Sequence, residues 1–197
     1  LTVIVTALVP LLCVLPPVGM LGDVIVLVGL FAFGRFFLAL AGLDIGTAFG
    51  GMGASREMMF AAIAEPALLL GFLTVAMLAS STNLTVIVTH LLHSHLFFRP
   101  SIFFIAAGFA LVALAENGRI PFDNPATHLE LTMIHEAMIL DYSGRELALI
   151  EWAAQIKLAL YFVLFIDLFL PWGMAARFID WSTLLYSGVL LVLKLMI

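Results

Sequence analysis

The stretch MMFAAIAEPALLLGFLTVAMLA, residues 58–79, contains a single charged side chain, Glu65. About 20 apolar residues in a helix cross the ~30 Å hydrocarbon core of a bilayer, so this run predicts a transmembrane helix. Similar apolar runs recur, and together they predict six segments: residues 1–15, 24–40, 58–79, 102–115, 148–170 and 183–197. The predicted fold class is therefore all-α, a polytopic bundle of about six transmembrane spans.

The composition of the whole chain agrees with this prediction. Hydrophobic residues make up 64% of the 197 residues and charged residues 11%, whereas soluble domains are about 45–50% apolar and about 25% charged. The net charge is −5 and no basic patch is present, which excludes a nucleic-acid-binding surface. The single cysteine, Cys13, excludes a disulfide framework and a cysteine-ligated metal or iron–sulfur site within this chain.

We expect residues 1–197 to form one transmembrane domain. Leu1 and Ile197 both lie within apolar runs, so the domain is predicted to be truncated at both ends. The glycine-rich residues 42–57 are predicted to form a flexible loop, with a phosphate-binding loop as the weaker alternative because no GK[ST] follows. His90, His93 and His95 are expected in an exposed polar loop, with a metal site as the weaker alternative.

The most polar stretch, residues 116–151, reads ENGRIPFDNPATHLELTMIHEAMILDYSGRELALIE. Pro121 and Pro125 are expected to end the preceding helix. Thr127 to Glu130 fits a capping box, which predicts a new helix over residues 128–140. This helix is too short to span a bilayer, so we expect a short amphipathic helix along the membrane surface. The acids of this helix are either solvated or partly buried at a protein–protein interface.

Residues 116–147 are assigned to a polar loop on the cytoplasmic side. If successive loops lie on alternate sides of the membrane, Arg56, Arg119 and Arg145 lie on one side, and Arg99 and Arg177 on the other. The side with more arginines is expected to be cytoplasmic.

Apart from Glu151, which ends the polar stretch at the start of the fifth span, five charged residues lie within the predicted spans: Arg35, Glu65, Lys157, Asp167 and Lys194. Intramembrane charges are costly, usually face the protein interior and often mark an ion path. We therefore predict that Glu65 faces the interior and has a polar partner. The two lysines could instead extend to the interface, and Asp167 could be interfacial.

Two motifs resemble the complex I subunit 1 family. They are Ala115-Glu116-x-x-Arg119-x-Pro121-Phe122-Asp123-x-Pro125 and Asp141-Tyr142-Ser143-Gly144, in that order. Residues 53–57, GASRE, followed by Glu65-Pro66, resemble the hydrogenase branch of that family, which includes the membrane subunit of formate hydrogenlyase. The family usually has Glu where Asp141 stands, and its quinone enzymes have acids where Ala126 and His128 stand.

The resemblance implies a multi-pass protein of the inner (cytoplasmic) membrane. Its expected role is the anchor and coupling subunit of a proton-translocating hydrogenase complex. The chain itself would be a non-redox subunit without cofactors, and nickel–iron and iron–sulfur centres would belong to partner subunits. The expected partners are hydrogenase-type peripheral subunits, antiporter-like membrane subunits and the lipid bilayer, with quinone binding left open. The alternatives are a quinone-site subunit of NADH:quinone oxidoreductase and a stand-alone secondary transporter.

The residues expected to act follow from these arguments. The candidate proton-coupling acids are Glu65, Glu116, Asp123, Glu130, Glu136 and Asp141. The candidate structural ion-pair residues are Arg35, Arg56, Arg119 and Arg145, with Arg119 pairing with Glu116 or Asp123. Asp123 and Asp141 flank one short helix and are expected to face the same docking surface.

Overall fold

A computed structural model of the chain describes residues 1–10, 19–93, 100–120, 122–123, 133–171 and 181–195. Eight α-helices lie in these ranges: α1 (Thr2–Leu8), α2 (Val24–Asp44), α3 (Ala48–Ala79), α4 (Leu84–His93), α5 (Pro100–Glu116), α6 (His135–Ile139), α7 (Gly144–Phe169) and α8 (Trp181–Leu195). A short 3₁₀ turn, Gly19–Leu21, precedes α2.

The all-α prediction is confirmed. Within the described ranges the only β pairing is an isolated bridge between Asp23 and Asn83. Three of the described helices, α2, α3 and α7, are long and apolar enough to cross a membrane. The chain is therefore membrane-embedded, while the number of six crossings stays a prediction.

The prediction of a flexible loop over residues 42–57 is wrong, because α2 continues to Asp44 and α3 begins at Ala48. Thr47 caps α3 by accepting a hydrogen bond from the backbone N–H of Gly50 at 3.2 Å. A β-carbon on Gly50 would collide with the carbonyl oxygen of Gly42 on α2. These glycines therefore serve close helix packing, a tertiary effect that overrides their low helix propensity.

The prediction of a polar loop around the histidines is also wrong. His90 and His93 lie in the last turn of α4, and His95 lies outside the described residues. Asn83 starts this helix, because its side-chain oxygen accepts hydrogen bonds from the N–H groups of Thr85 and Val86 at 3.0 and 3.4 Å. The ten described residues of α4 rise about 15 Å in all, about half of the ~30 Å hydrocarbon core.

One end of the bundle is fixed where α2 begins. The carboxylate of Asp23 accepts hydrogen bonds from the N–H of Ile25 at 2.8 Å and from the hydroxyl of Thr82 at 2.5 Å. The N–H of Leu84 donates to the carbonyl of Gly22 at 2.7 Å. The starts of α2 and α4 are thus held side by side.

Aromatic rings fill the core between this end and the middle of the bundle. Phe109 of α5 packs edge-on against Phe72 of α3, with ring centroids 5.6 Å apart. Tyr161 of α7 stacks on Phe31 of α2 at 4.8 Å. These contacts join α2, α3, α5 and α7 into one core.

Within the polar stretch, a helix was predicted over residues 128–140. The described helix there, α6, covers five residues, His135–Ile139. The predicted start near His128 and the capping box, including Glu130, lie outside the described residues. Met138 is 1% exposed and packs with Ala39 of α2 and Ala54 of α3. The hairpin of α2 and α3 therefore positions α6, while the alignment of this stretch with the membrane surface stays a prediction.

Candidate functional site: a buried cluster of charged side chains

The centre of the site is Arg35, near the middle of α2, which meets three glutamates from two other helices. Its Nε lies 3.3 Å from Oε1 of Glu57, and its Nη1 lies 3.8 Å from Oε1 of Glu65, both on α3. Its Nη2 contacts Oε2 of Glu116 at the end of α5. The five N–H donors of a guanidinium allow it to serve several carboxylates at once. Arg35, whose side chain is 2% exposed, therefore joins α2, α3 and α5.

A second cation, Lys157 of α7, approaches Glu116 from the other side. Its Nζ lies 3.2 Å from Oε2 of Glu116 and donates a hydrogen bond of 2.7 Å to the carbonyl oxygen of the same residue. Helix carbonyls at a C-terminus lack intrahelical partners and carry partial negative charge, so a cation there is stabilising. Lys157 thus pairs with one oxygen of the carboxylate and also satisfies a carbonyl at the end of α5.

These five residues, Arg35, Glu57, Glu65, Glu116 and Lys157, form what we call the Arg35 cluster. Three carboxylates face two cations, so the formal net charge is −1 when every group is ionised. Buried charges are tolerated only when paired and hydrogen-bonded, because they have lost their hydration. Each carboxylate of the cluster is therefore held by a cation that another helix supplies.

Asp123 and His135, which follow α5 in the chain, are joined by a hydrogen bond, and His135 lies within electrostatic reach of the cluster. Asp123 is 3% exposed, and its carboxylate accepts hydrogen bonds from the backbone N–H groups of Ile134 at 3.2 Å and His135 at 2.9 Å. Burial lowers the pKa of His135 below its usual 6.5, while nearby Glu57 acts in the opposite direction. Lys157 also lowers this pKa, so the charges of the cluster influence the pKa of His135.

Five of the six predicted acids lie in the part of the chain that the structure describes, and their surroundings differ. Glu65 and Glu116 belong to the cluster, and the predicted polar partner of Glu65 is present as Arg35. Asp123 is buried, whereas Asp141 is exposed, so the expectation that these two face one docking surface is wrong. Asp123 turned inward because it caps the start of the α6 segment. Glu136 is half-buried on α6.

The four arginines that were predicted to form ion pairs differ in their contacts. Arg35 forms the ion pairs described above, and Nη1 of Arg56 donates to the carbonyl oxygen of Met133 at 3.3 Å. The side chains of Arg119 and Arg145 are exposed, and the described residues show no ion pair for either. The expected pairing of Arg119 is therefore wrong: Glu116 pairs with Arg35 and Lys157, which reach it from neighbouring helices.

Two members of the cluster were absent from the predicted site, Glu57 and Lys157. Glu57 stands nine residues after the start of α3, and Arg35 stands nine residues before the end of α2. Equal distances from a tight turn place two residues side by side in an antiparallel helix pair. The sequence signal was therefore available, but the predicted loop over residues 42–57 concealed it.

A cavity of about 260 Å³ lies between α3 and α6. Its lining is apolar except for one arginine, and consists of Phe49, Met52, Gly53, Arg56, Met133, Ala137 and Leu140. Among the described residues, no group of three or more His, Cys, Asp or Glu side chains is arranged to hold a metal ion.

Comparison with known proteins places this bundle in a family. All residues of the chain, 1–197, match the family model described as NADH dehydrogenase. The chain therefore belongs to this family, which confirms the resemblance to complex I subunit 1 seen in its motifs.

Two proteins of Escherichia coli (strain K12) are similar to the chain. It is 36% identical over 194 residues to formate hydrogenlyase subunit 4, covering 98% of the chain and 62% of that protein. It is 38% identical over 191 residues to hydrogenase-4 component C, covering 95% of the chain and 58% of that protein. The chain thus spans about three fifths of the length of these relatives. The predicted likeness to the hydrogenase branch is confirmed.

Proposed function

We propose that the chain is a multi-pass coupling subunit in the inner membrane, within a hydrogenase-type complex. In this role it docks a peripheral redox arm and relays protons through the Arg35 cluster. The observation that carries the proposal is Glu116, a carboxylate 1% exposed that is shared by Arg35 and Lys157 from two different helices. The names of the two relatives, a formate hydrogenlyase subunit and a hydrogenase component, support the type of complex.

The loop between α5 and α7 is the proposed connection to the redox arm, on the cytoplasmic side. Asp123 fixes this loop through the N–H groups of Ile134 and His135, and His135 lies within electrostatic reach of Glu57. A movement of the loop would change the hydration of the cluster and hence the proton affinity of its acids. Electron transfer at the docking surface could in this way bias protonation below it. Glu65 would then pass the change to neighbouring membrane subunits.

The proposal assigns no oxidation or reduction to the chain. Its part is to hold charges, to exclude lipid and water from them, and to move a proton between carboxylates. The nickel–iron and iron–sulfur chemistry is assigned to partner subunits. Glu136 and Asp141 are assigned to the docking side, because both have exposed surface in the stretch between α5 and α7.

The test is the Glu116→Gln variant in the complete complex, purified and reconstituted in vesicles. Glutamine keeps the shape of the side chain but cannot bind and release the proton. Proton uptake is expected to be lost, while hydrogen turnover with a soluble electron donor is retained. Glu146→Gln is the matched control, because Glu146 is exposed in the first turn of α7. An unchanged proton-to-electron ratio in the Glu116→Gln complex would contradict the proposed role.

A second candidate function, quinone binding, is favoured by the cavity of about 260 Å³ between α3 and α6. Its apolar lining with a single arginine suits a flat ring that carries polar oxygens. Met52→Trp would fill this cavity, because Met52 is one of its lining residues and is 40% exposed. Loss of quinone reduction in that variant, with hydrogen turnover retained, would favour this function. A variant without effect on either activity would count against it.

A further inference from the structure

Asp167, in the last turn of α7, is an acid buried in the apolar core of the bundle. It is 0% exposed, and neither of its carboxyl oxygens receives a hydrogen bond from the part of the chain that the structure describes. Its neighbours along the helix, Ile166 and Leu168, are buried as well. The carboxyl group of Asp167 therefore faces the protein interior without a hydrogen-bond donor.

The end of α7 leaves a further oxygen of Asp167 without its usual donor. The last hydrogen bond of the helix runs from the N–H of Leu170 to the carbonyl oxygen of Ile166, at 2.7 Å. The next bond along the helix would join the carbonyl of Asp167 to the N–H of position 171, but Pro171 has no N–H. Asp167 thus has a backbone carbonyl without a donor from its own helix, in addition to its carboxyl group.

A cation from another helix, Lys194 of α8, lies at this end of α7. Its Nζ donates a hydrogen bond of 2.5 Å to the carbonyl oxygen of Leu170, and its charge acts on Asp167. The other described helices that pack on α7 are α1, α4 and α5. Their charged or histidine side chains are His90 and His93 on α4 and Glu116 on α5, with none on α1. Among the described residues, only Lys194 influences Asp167 electrostatically.

These contacts favour a proton over a metal cation as the ligand of Asp167. An ionised carboxylate that is buried without donors is costly, and such a group normally binds a proton instead. Carbonyl oxygens at a broken helix end can also coordinate a sodium ion. Here the ammonium group of Lys194 already occupies the carbonyl of Leu170 and would repel a second cation. A proton needs only one carboxyl oxygen and leaves the group neutral.

We propose that Asp167 is an exchangeable proton-binding site whose ionised form is stabilised by the ammonium group of Lys194. In the protonated form, Lys194 keeps the hydrogen bond to the carbonyl of Leu170 that is present in the structure. In the ionised form, the ammonium group turns to the carboxylate of Asp167. The site is separate from the Arg35 cluster, because Lys157, the residue of that cluster on α7, lies ten residues or about 15 Å earlier in the helix. The inference does not depend on the proposed coupling function.

The experiment treats the complete complex in native membranes with dicyclohexylcarbodiimide, an apolar reagent that modifies protonated carboxyl groups. The carboxyl proton moves to a nitrogen of the reagent, the carboxylate adds to the central carbon, and rearrangement leaves an N-acylurea heavier by one reagent molecule. Mass spectrometry should show this adduct at Asp167 at neutral pH, in a fraction that declines as the pH rises. Asp123 is the matched control in the same sample. It is also buried, at 3% exposure, but its carboxylate accepts two backbone N–H groups and should stay unmodified.

Substitutions test the part of Lys194. In Lys194→Met the adduct should persist to higher pH than in the native chain, because the ionised form has lost its cation. Lys194→Arg keeps the charge and should restore the pH dependence of the native chain. Sodium ions, added at constant ionic strength, should not change the modified fraction. Protection by sodium, or a Lys194→Met variant with the native pH dependence, would overturn the inference.

A second measurement requires no reagent to reach the buried group. The infrared spectrum of the native complex minus that of Asp167→Asn should contain the carbonyl band of a protonated carboxyl group. This band should shift in D₂O and disappear at high pH. Absence of both the band and the adduct, or a band that does not respond to D₂O or to pH, would show that Asp167 is not an exchangeable proton site.

Discussion

Replacing Arg35 should destabilise the protein more than any surface substitution, because its removal leaves three glutamates with one cation. In Arg35→Met the formal charge of the cluster becomes −2, with Glu116 1% and Glu57 11% exposed. Breaking a buried ion pair by deleting one partner typically costs about 3–5 kcal/mol, since the remaining charge is uncompensated. For a chain of this size, about 1 kcal/mol shifts the thermal midpoint by about 2–4 °C, so the expected fall is on the order of 10 °C.

The assay is thermal unfolding of the detergent-purified complex, followed by near-ultraviolet circular dichroism. Arg145→Met is the control, because Arg145 is exposed and should change stability by less than about 0.5 kcal/mol. The double variant Arg35→Met, Glu57→Gln returns the cluster to a net charge of −1 and should recover much of the loss. Equal midpoints for Arg35→Met and Arg145→Met, or no recovery in the double variant, would refute the reasoning that charge balance stabilises the cluster.

Three further predictions concern the stretch between α5 and α7 and its contact with α3. Asp123→Ala removes the acceptor of two buried N–H groups and should cost about 1–3 kcal/mol, with faster amide exchange at residues 134 and 135, whereas Asp141→Ala should change little. Because burial lowers the pKa of His135 in the folded protein, the unfolded chain binds more protons than the folded one below pH 6.5. The free energy of unfolding should therefore fall as the pH drops below that value. In His135→Gln the thermal midpoint should depend less on pH. Gly53→Ala would place a β-carbon 2.9 Å from the carbonyl oxygen of Ile134, at the start of α6, and should destabilise the protein by about 1–3 kcal/mol. Gly51 has open space around it, so Gly51→Ala should be neutral or stabilising in the same unfolding assay.

The sequence by itself determined the fold class, the family and several of the buried charges. Long apolar runs become helices in lipid because each backbone group must find a partner within its own segment, so α2, α3 and α7 could be predicted from composition. The same reasoning predicted that Glu65 would face a polar partner, since an isolated intramembrane charge is too costly. The two motifs around Glu116 and Asp141 gave the family directly.

The tertiary structure alone decided which residues meet. Glu57 meets Arg35, and Lys157 meets Glu116, because antiparallel and neighbouring helices bring together residues far apart in the chain. The glycines before Glu57 appeared to favour a loop, but close contact between α2 and α3 stabilises the helix there. Asp123 was expected at a docking surface and is buried instead, because two N–H groups at the start of the α6 segment required an acceptor. Sequence patterns report local propensity and average burial, whereas the partner of each charged group depends on how the helices pack.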